Sequence, residues 1–147
     1  MIGLLQRVGE ARVQVGADIV GEIGRGLLVL VAVHRDDGES DISRLAERIL
    51  GYRVFPDADG RMNRSLRDID GGLLLVPQFT LTADTKKGTR ASFTKGAPPD
   101  KAQAYFDRLV AQCSAALDDV ATGRFGADMQ VSLVNDGPVT FWLDTRS

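Results

Sequence analysis

Leu27-Leu28-Val29-Leu30-Val31-Ala32-Val33 is apolar at every position. A run of this kind buries both of its faces, which predicts a central strand in a covered sheet. Gly24 and Gly26 punctuate its entry, and Asp36-Asp37-Gly38 ends it. Leu73-Leu74-Leu75-Val76 reads the same way and predicts a second buried strand, with Pro77-Gln78-Phe79-Thr80 at its C-terminal end. Upstream, residues 2–8 and 11–15 are short apolar runs, in the second of which Arg12 and Gln14 alternate with Val13 and Val15. Gly16-Ala17-Asp18 is a turn into Ile19-Val20.

Helical spacing appears twice. Ile42, Leu45, Ala46, Ile49 and Leu50 form one stripe. Ser40 is its expected N-cap, Asp41 suits the positive helix start, and Gly51 is expected to close the end. Pro56-Asp57-Ala58-Asp59-Gly60 follows as a turn. A second helix is expected from Pro99, with proline in its first turn. Its stripe is Ala102, Tyr105, Phe106, Leu109, Val110, Cys113, Leu117 and Val120, closed by Gly123. Met129, Val131 and Leu133, then Val139, Phe141 and Leu143, alternate with polar or exposed positions. They predict two last strands joined by a hairpin turn at Asn135–Thr140. The strands are too grouped for a doubly wound parallel sheet. The expected fold is α/β of the α+β type: a mixed or antiparallel sheet curled toward a barrel, with two main helices packed outside.

The chain has 147 residues, which fits one domain spanning 1–147. Net charge is −2, so no global field draws it to nucleic acid, and a DNA partner is not expected. Hydrophobic residues make up 44%, yet no apolar run reaches the ~20 residues of a membrane span. The N-terminal residues turn polar too soon for a signal peptide. With a single cysteine, these features predict a soluble cytoplasmic protein.

Side-chain chemistry is limited. His34 is the only histidine and Cys113 the only cysteine, which excludes zinc sites built from His and Cys clusters. Cys113 falls on the apolar stripe and reads as a buried structural thiol. His34 reads as a surface turn histidine, and Asp36-Asp37 and Asp118-Asp119 as solvated surface. No glycine-rich loop has the spacing to cradle phosphate. An enzyme with this inventory works by positioning and by backbone dipoles, without a cofactor.

Two segments stand out. Pro77-Gln78-Phe79-Thr80-Leu81 opens a buried strand into polar groups and then into a basic loop, residues 82–97, that lacks apolar periodicity. Asn135-Asp136-Gly137-Pro138-Val139-Thr140 by itself is a turn. Together, and in this order, they resemble the D-aminoacyl-tRNA deacylase family. That family carries Ser-Gln-Phe-Thr at the first place and Asn-x-Gly-Pro-Val-Thr at the second. The likeness extends to Gln6-Arg7-Val8, Gly51-Tyr52-Arg53-Val54-Phe55, Phe93-x-Lys95-Gly96 and Thr122 to Val131, and covers Met1 to about Leu143.

The resemblance implies hydrolysis of the ester between a D-amino acid and the tRNA 3′ end by a homodimer that needs no metal. Gly137-Pro138 of one subunit, with a cis bond, is expected to reach into the partner's site and reject L-amino acids by exclusion. Gln78, Phe79 and Thr80 are the expected catalytic residues. Whether Thr80, water or the tRNA 2′-hydroxyl attacks stays open. Arg7, Met129, Asn135, Gly137, Pro138 and Val139 are the expected substrate-binding set. Lys86, Lys87, Arg90 and Lys95 either meet acceptor-stem phosphates or form a solvated loop. Pro77 departs from the family's serine, and a related group that clears misacylated tRNA of different chirality carries Pro-Gln there. Two alternatives therefore stand beside the main reading. One is a tRNA-binding domain of the same fold with little catalysis. The other is a deacylase for L-Ala or Gly mischarged on tRNA.

Overall fold

The computed structural model describes residues 1–146. β1 (Ile2–Val15), β2 (Asp18–Ile23) and β3 (Gly26–Ala32) come first, followed by α1 (Glu39–Gly51). β4 (Phe55–Pro56) and β5 (Met62–Arg64) make a small hairpin, α2 (Leu66–Ile69) is a single turn, and β6 (Gly72–Pro77) follows. A 3-10 turn at Phe79–Thr82, α3 (Pro99–Ala116), β7 (Val120–Thr122) and β8 (Gln130–Asp144) complete the order.

β1 is the hub of the sheet. Its first half pairs antiparallel with β3, from Ile2↔Ala32 to Val8↔Gly26, and its second half pairs with β2. Its other edge carries β8 along nearly its whole length. β6 runs parallel to β3, and β7 parallel to β6. The sheet is therefore mixed. It curls until β2 meets β7: a Cβ added to Gly21 would lie 2.4 Å from the Thr122 carbonyl oxygen. Side chains alternate along a strand, so the apolar runs divide between two cores. Leu28, Leu74 and Val76 point into the curl with Val8, Val13 and Ile23. Leu27, Val29, Val31, Leu73 and Leu75 point outward, where Ile42, Leu45 and Ile49 of α1 and Phe106, Leu109 and Cys113 of α3 cover them. The fold class is as expected, a sheet nearly closed into a barrel with two main helices outside.

Local details differ from the sequence reading. β1 is one 14-residue strand rather than two runs. α1 starts one residue before Ser40: its N-cap is Gly38, whose N–H donates to Asp41 Oδ2 at 2.8 Å, so Asp41 does the capping work. Gly51 belongs to the helix, and Tyr52 ends it in an extended conformation. α3 stops at Ala116, short of Gly123, because the next residues serve β6. Leu73 N–H donates to the Asp119 carbonyl at 2.9 Å and Gly123 N–H to the Leu75 carbonyl at 2.9 Å, so Val120 lies in a strand.

The expected hairpin at Asn135–Thr140 is absent. One strand, β8, runs through, and its register jumps from Thr140↔Gln6 to Asn135↔Val8. Residues 136–139 therefore bulge out opposite Arg7 alone.

Two polar assignments also change. Asp37 is buried, because its carboxylate receives the Met1 ammonium at 3.0 Å and the His34 N–H at 2.7 Å. A buried carboxylate needs such partners. His34 is not a surface residue either: its side chain is 13% exposed, with Nε2 3.9 Å from Asp144 Oδ2. Its backbone bridges to Gly96, which draws it under the long loop.

Burial pushes the Cys113 thiol up to about 12. We expect the native protein at pH 8 to react with a thiol reagent more than about a hundredfold slower than the unfolded chain. A fast, stoichiometric reaction of the folded protein would contradict this packing.

Candidate active site

β6 delivers the first segment. Gln78 N–H donates to the Val31 carbonyl at 2.7 Å, closing the ladder one residue beyond Pro77. N–H groups alternate sides along a strand, so the position of Pro77 faces past the end of β7 and its missing N–H leaves this pairing intact. The chain then tightens into the 3-10 turn. Its first internal bond runs from Leu81 N–H to the Gln78 carbonyl at 3.3 Å. The amides of Phe79 and Thr80 precede that bond and open the turn. Gln78 donates its side-chain amide to the Thr80 hydroxyl.

Beside this turn lies a cavity of about 590 Å³. Pro77, Gln78 and Phe79 form one side, Phe125, Ala127, Met129 and Val131 another, and Phe93, Gly96, Pro99 and Ala102 the third. Its size and mostly apolar wall suit a small organic group held by a few polar contacts. At the rim, the Phe79 and Phe93 rings pack with centroids 5.3 Å apart, yet remain 64% and 45% exposed. Met129 fills the wall tightly: its sulfur accepts the Arg124 N–H at 3.4 Å.

The second segment stands elsewhere. Gly137-Pro138 is cis, and Gly137 has φ +134°. Arg7 braces the bulge, its Nε donating to the Asp136 carbonyl at 3.0 Å while Nη1 donates to the Val54 carbonyl at 2.7 Å. Asn135 closes the base. Its Oδ1 accepts Val139 N–H at 2.8 Å, and its Nδ2 donates to Thr140 Oγ1 at 2.9 Å. None of Asn135, Gly137, Pro138 and Val139 lines the cavity of this chain.

The predicted residues thus fall into two groups. Gln78, Phe79 and Met129 share the cavity and Thr80 stands exposed at its edge, whereas Arg7, Asn135, Gly137, Pro138 and Val139 form the separate bulge. Lys86, Lys87 and Arg90 are exposed on the loop. Lys95 lies 3.7 Å from Asp84, whose backbone pairs with that of Ser92 to clip the loop. The Lys86 backbone N–H holds the Asp84 carboxyl below its ordinary value. Among the described residues, no three His, Cys, Asp or Glu side chains gather as a metal site requires. Sequence reasoning did not assign Thr82, Ala102, Phe125 or Ala127 to the site. Apolar cavity walls carry the same pattern as core.

The model of a family described as D-Tyr-tRNA(Tyr) deacylase matches residues 4–144. The D-aminoacyl-tRNA deacylase of Alkalilimnicola ehrlichii is 64% identical over 146 residues, 99% of this chain and 97% of that one. The protein of the same name from Escherichia coli O81 is 57% identical over 143 residues, covering 97% and 99%. Among solved structures, one titled c-Myc DNA Unwinding Element Binding Protein superposes with TM-score 0.94 at 34% identity, covering 99% of both chains. A probable eukaryotic D-amino acid tRNA deacylase superposes at 0.82 with 19% identity, covering 97% of both, and shares the fold.

Proposed function

The chain belongs to the D-Tyr-tRNA(Tyr) deacylase family, and on that premise we propose that it hydrolyses the ester joining a D-amino acid to the 3′ end of tRNA. The observation that carries this reading is the apolar cavity beside the turn at Phe79. An aminoacyl ester is already activated, so a site without strong acids or bases suffices. The Phe79 and Thr80 amides open a turn and suit an oxygen that gains charge as the carbonyl is attacked. Gln78 orients the Thr80 hydroxyl, which in turn orients the attacking group or itself attacks. Water adds to the carbonyl carbon, directly or by opening a Thr80 ester, the C–O bond to the tRNA breaks, and the tRNA oxygen takes up a proton, so that free tRNA and the D-amino acid leave. The reaction takes place in the cytoplasm, and needs no cofactor.

The active form is a homodimer in which Gly137-Pro138 of one protomer closes the cavity of the other. Two features support it. No residue of the bulge lines the cavity of its own chain, and the same strand leaves Val134 54% and Trp142 53% exposed. Exposed tryptophan on an edge strand favours a protein contact. In the partner's site, the Gly137-Pro138 backbone leaves no room for an L side chain, whereas a D side chain points away. Met129 shapes the wall, and Arg7, Asn135 and Val139 hold the bulge. Lys86, Lys87, Arg90 and Lys95 meet the phosphates of the acceptor stem.

The test uses D-Tyr-tRNA and L-Tyr-tRNA with a chelator present. The D ester should be cleaved at least about a hundredfold faster, and Thr80→Ala should lower turnover by about ten- to a hundredfold. Equal rates on the two enantiomers would overturn the chirality claim. Full turnover in Thr80→Ala would move the site elsewhere.

A further inference from the structure

Three polar or charged side chains are buried among the described residues: Asp37, Ser65 and Thr82. Asp37 meets the Met1 ammonium, and Ser65 caps α2 by accepting the Asp68 N–H. Thr82 serves neither an ion pair nor a cap. It is 4% exposed, lines the cavity, and donates its hydroxyl to the Phe79 carbonyl at 2.8 Å.

That carbonyl and the Thr80 N–H are the two ends of one planar peptide. A hydrogen bond at the oxygen fixes the tilt of the whole plane, and therefore the direction of the N–H. It also polarises the amide and makes the N–H a stronger donor. Thr82 cannot swing away easily, because Gly96 packs on its hydroxyl: a Cβ at Gly96 would lie 2.9 Å from Thr82 Oγ1. Gly96 itself is tied by its N–H to the Phe93 carbonyl at 3.2 Å.

We propose that Thr82 is a positioning residue for the deacylation step, its buried hydroxyl aiming the Phe79–Thr80 peptide at the scissile ester. This rests on the function proposed above. Threonine often bonds to a carbonyl three residues back as a local habit. Burial in the cavity wall and the Gly96 wedge set this case apart.

Thr82→Val keeps the shape and removes the donor, whereas Thr82→Ser keeps the donor. Two measurements separate them. Nuclear magnetic resonance reads the Phe79 carbonyl carbon and the Thr80 amide nitrogen, and steady-state kinetics on D-Tyr-tRNA read kcat and KM. In Thr82→Val both resonances should move and kcat should fall about tenfold, the worth of one hydrogen bond. KM should stay within about twofold, and the melting midpoint should fall by no more than about 5 °C. Thr82→Ser should keep kcat within about twofold. Parental kcat in Thr82→Val, or equal losses in both variants, overturns the proposal and leaves the deacylase reading standing. If the parent protein itself spares D-Tyr-tRNA, the deacylase reading falls and takes this one with it. Unmoved Phe79 and Thr80 resonances in Thr82→Val refute the buttress whatever the activity.

Discussion

Gly137→Val should lower cleavage of D-Tyr-tRNA by at least about a hundredfold while leaving the fold near parental stability. The cause is local. Gly137 has φ +134°, a region L side chains rarely adopt. A Cβ there would lie 2.7 Å from Val139 Cγ2, 3.0 Å from the Val139 nitrogen and 3.1 Å from Arg7 Nη2. The bulge must shift, and its brace on Arg7 and its clasp at Asn135 shift with it. A displacement of about 1 Å in a positioning element costs on the order of a hundredfold in rate. The stability cost is small by comparison, because the bulge is exposed and few core contacts depend on it.

The same variant tests whether the bulge acts in the partner's site. On the proposed dimer, Thr80→Ala and Gly137→Val protomers should each be impaired alone. Coexpressed, about half of the dimers should be mixed, by random pairing of like protomers. Each mixed dimer would hold one site with the Thr80 of one chain and the Gly137 of the other. Activity should return to about a quarter of the parental value. No recovery from such mixtures would mean that each bulge serves its own chain or none.

The parts of this molecule that were legible in its sequence are those whose partners lie close by or whose burial is two-sided. Leu27–Val33 and Leu73–Val76 announce central strands because the curl covers one face and the helices the other. Residues 135–140 read as a hairpin for a physical reason, although one strand runs through them. A four-residue bulge and a hairpin loop draw on the same glycine and proline. Only the continuous partner strand, β1, distinguishes them, and its pairing spans more than a hundred residues. Asp37 reads as solvated surface for a like reason, because the ammonium that justifies its burial is 36 residues away. At the candidate site, the polar strand end from Gln78 to Thr80 stands out in the residue pattern and gains its role from the family resemblance, which also supplies Met129. Phe125, Ala127 and Ala102 were not, since nothing in a small or apolar residue tells a cavity wall from a core.

Gly24 and Gly26 look alike in sequence, yet their alanine variants should differ sharply. Gly26 stands opposite Gly72 where β3 and β6 begin their parallel pairing. A Cβ at Gly26 would lie 1.8 Å from the Gly72 carbonyl oxygen, 2.7 Å from its carbon and 2.8 Å from its nitrogen. All three are backbone atoms, so no side-chain rotation relieves the clash. The strands must part, and the Gly72 N–H bond to the Arg25 carbonyl, now 3.0 Å, is the first to be lost. Leu27 and Leu73 follow it in the core, both fully buried. Gly26→Ala should therefore cost at least about 3 kcal/mol, lowering the melting midpoint by roughly 10 °C. At Gly24 an added Cβ meets nothing within 4 Å, and Gly24→Ala should stay within about 0.5 kcal/mol of the parent. Thermal melts of the two variants side by side decide the matter. Equal midpoints would mean that β3 and β6 do not approach as closely as this register requires, and the cavity that β6 helps to frame would have to be redrawn.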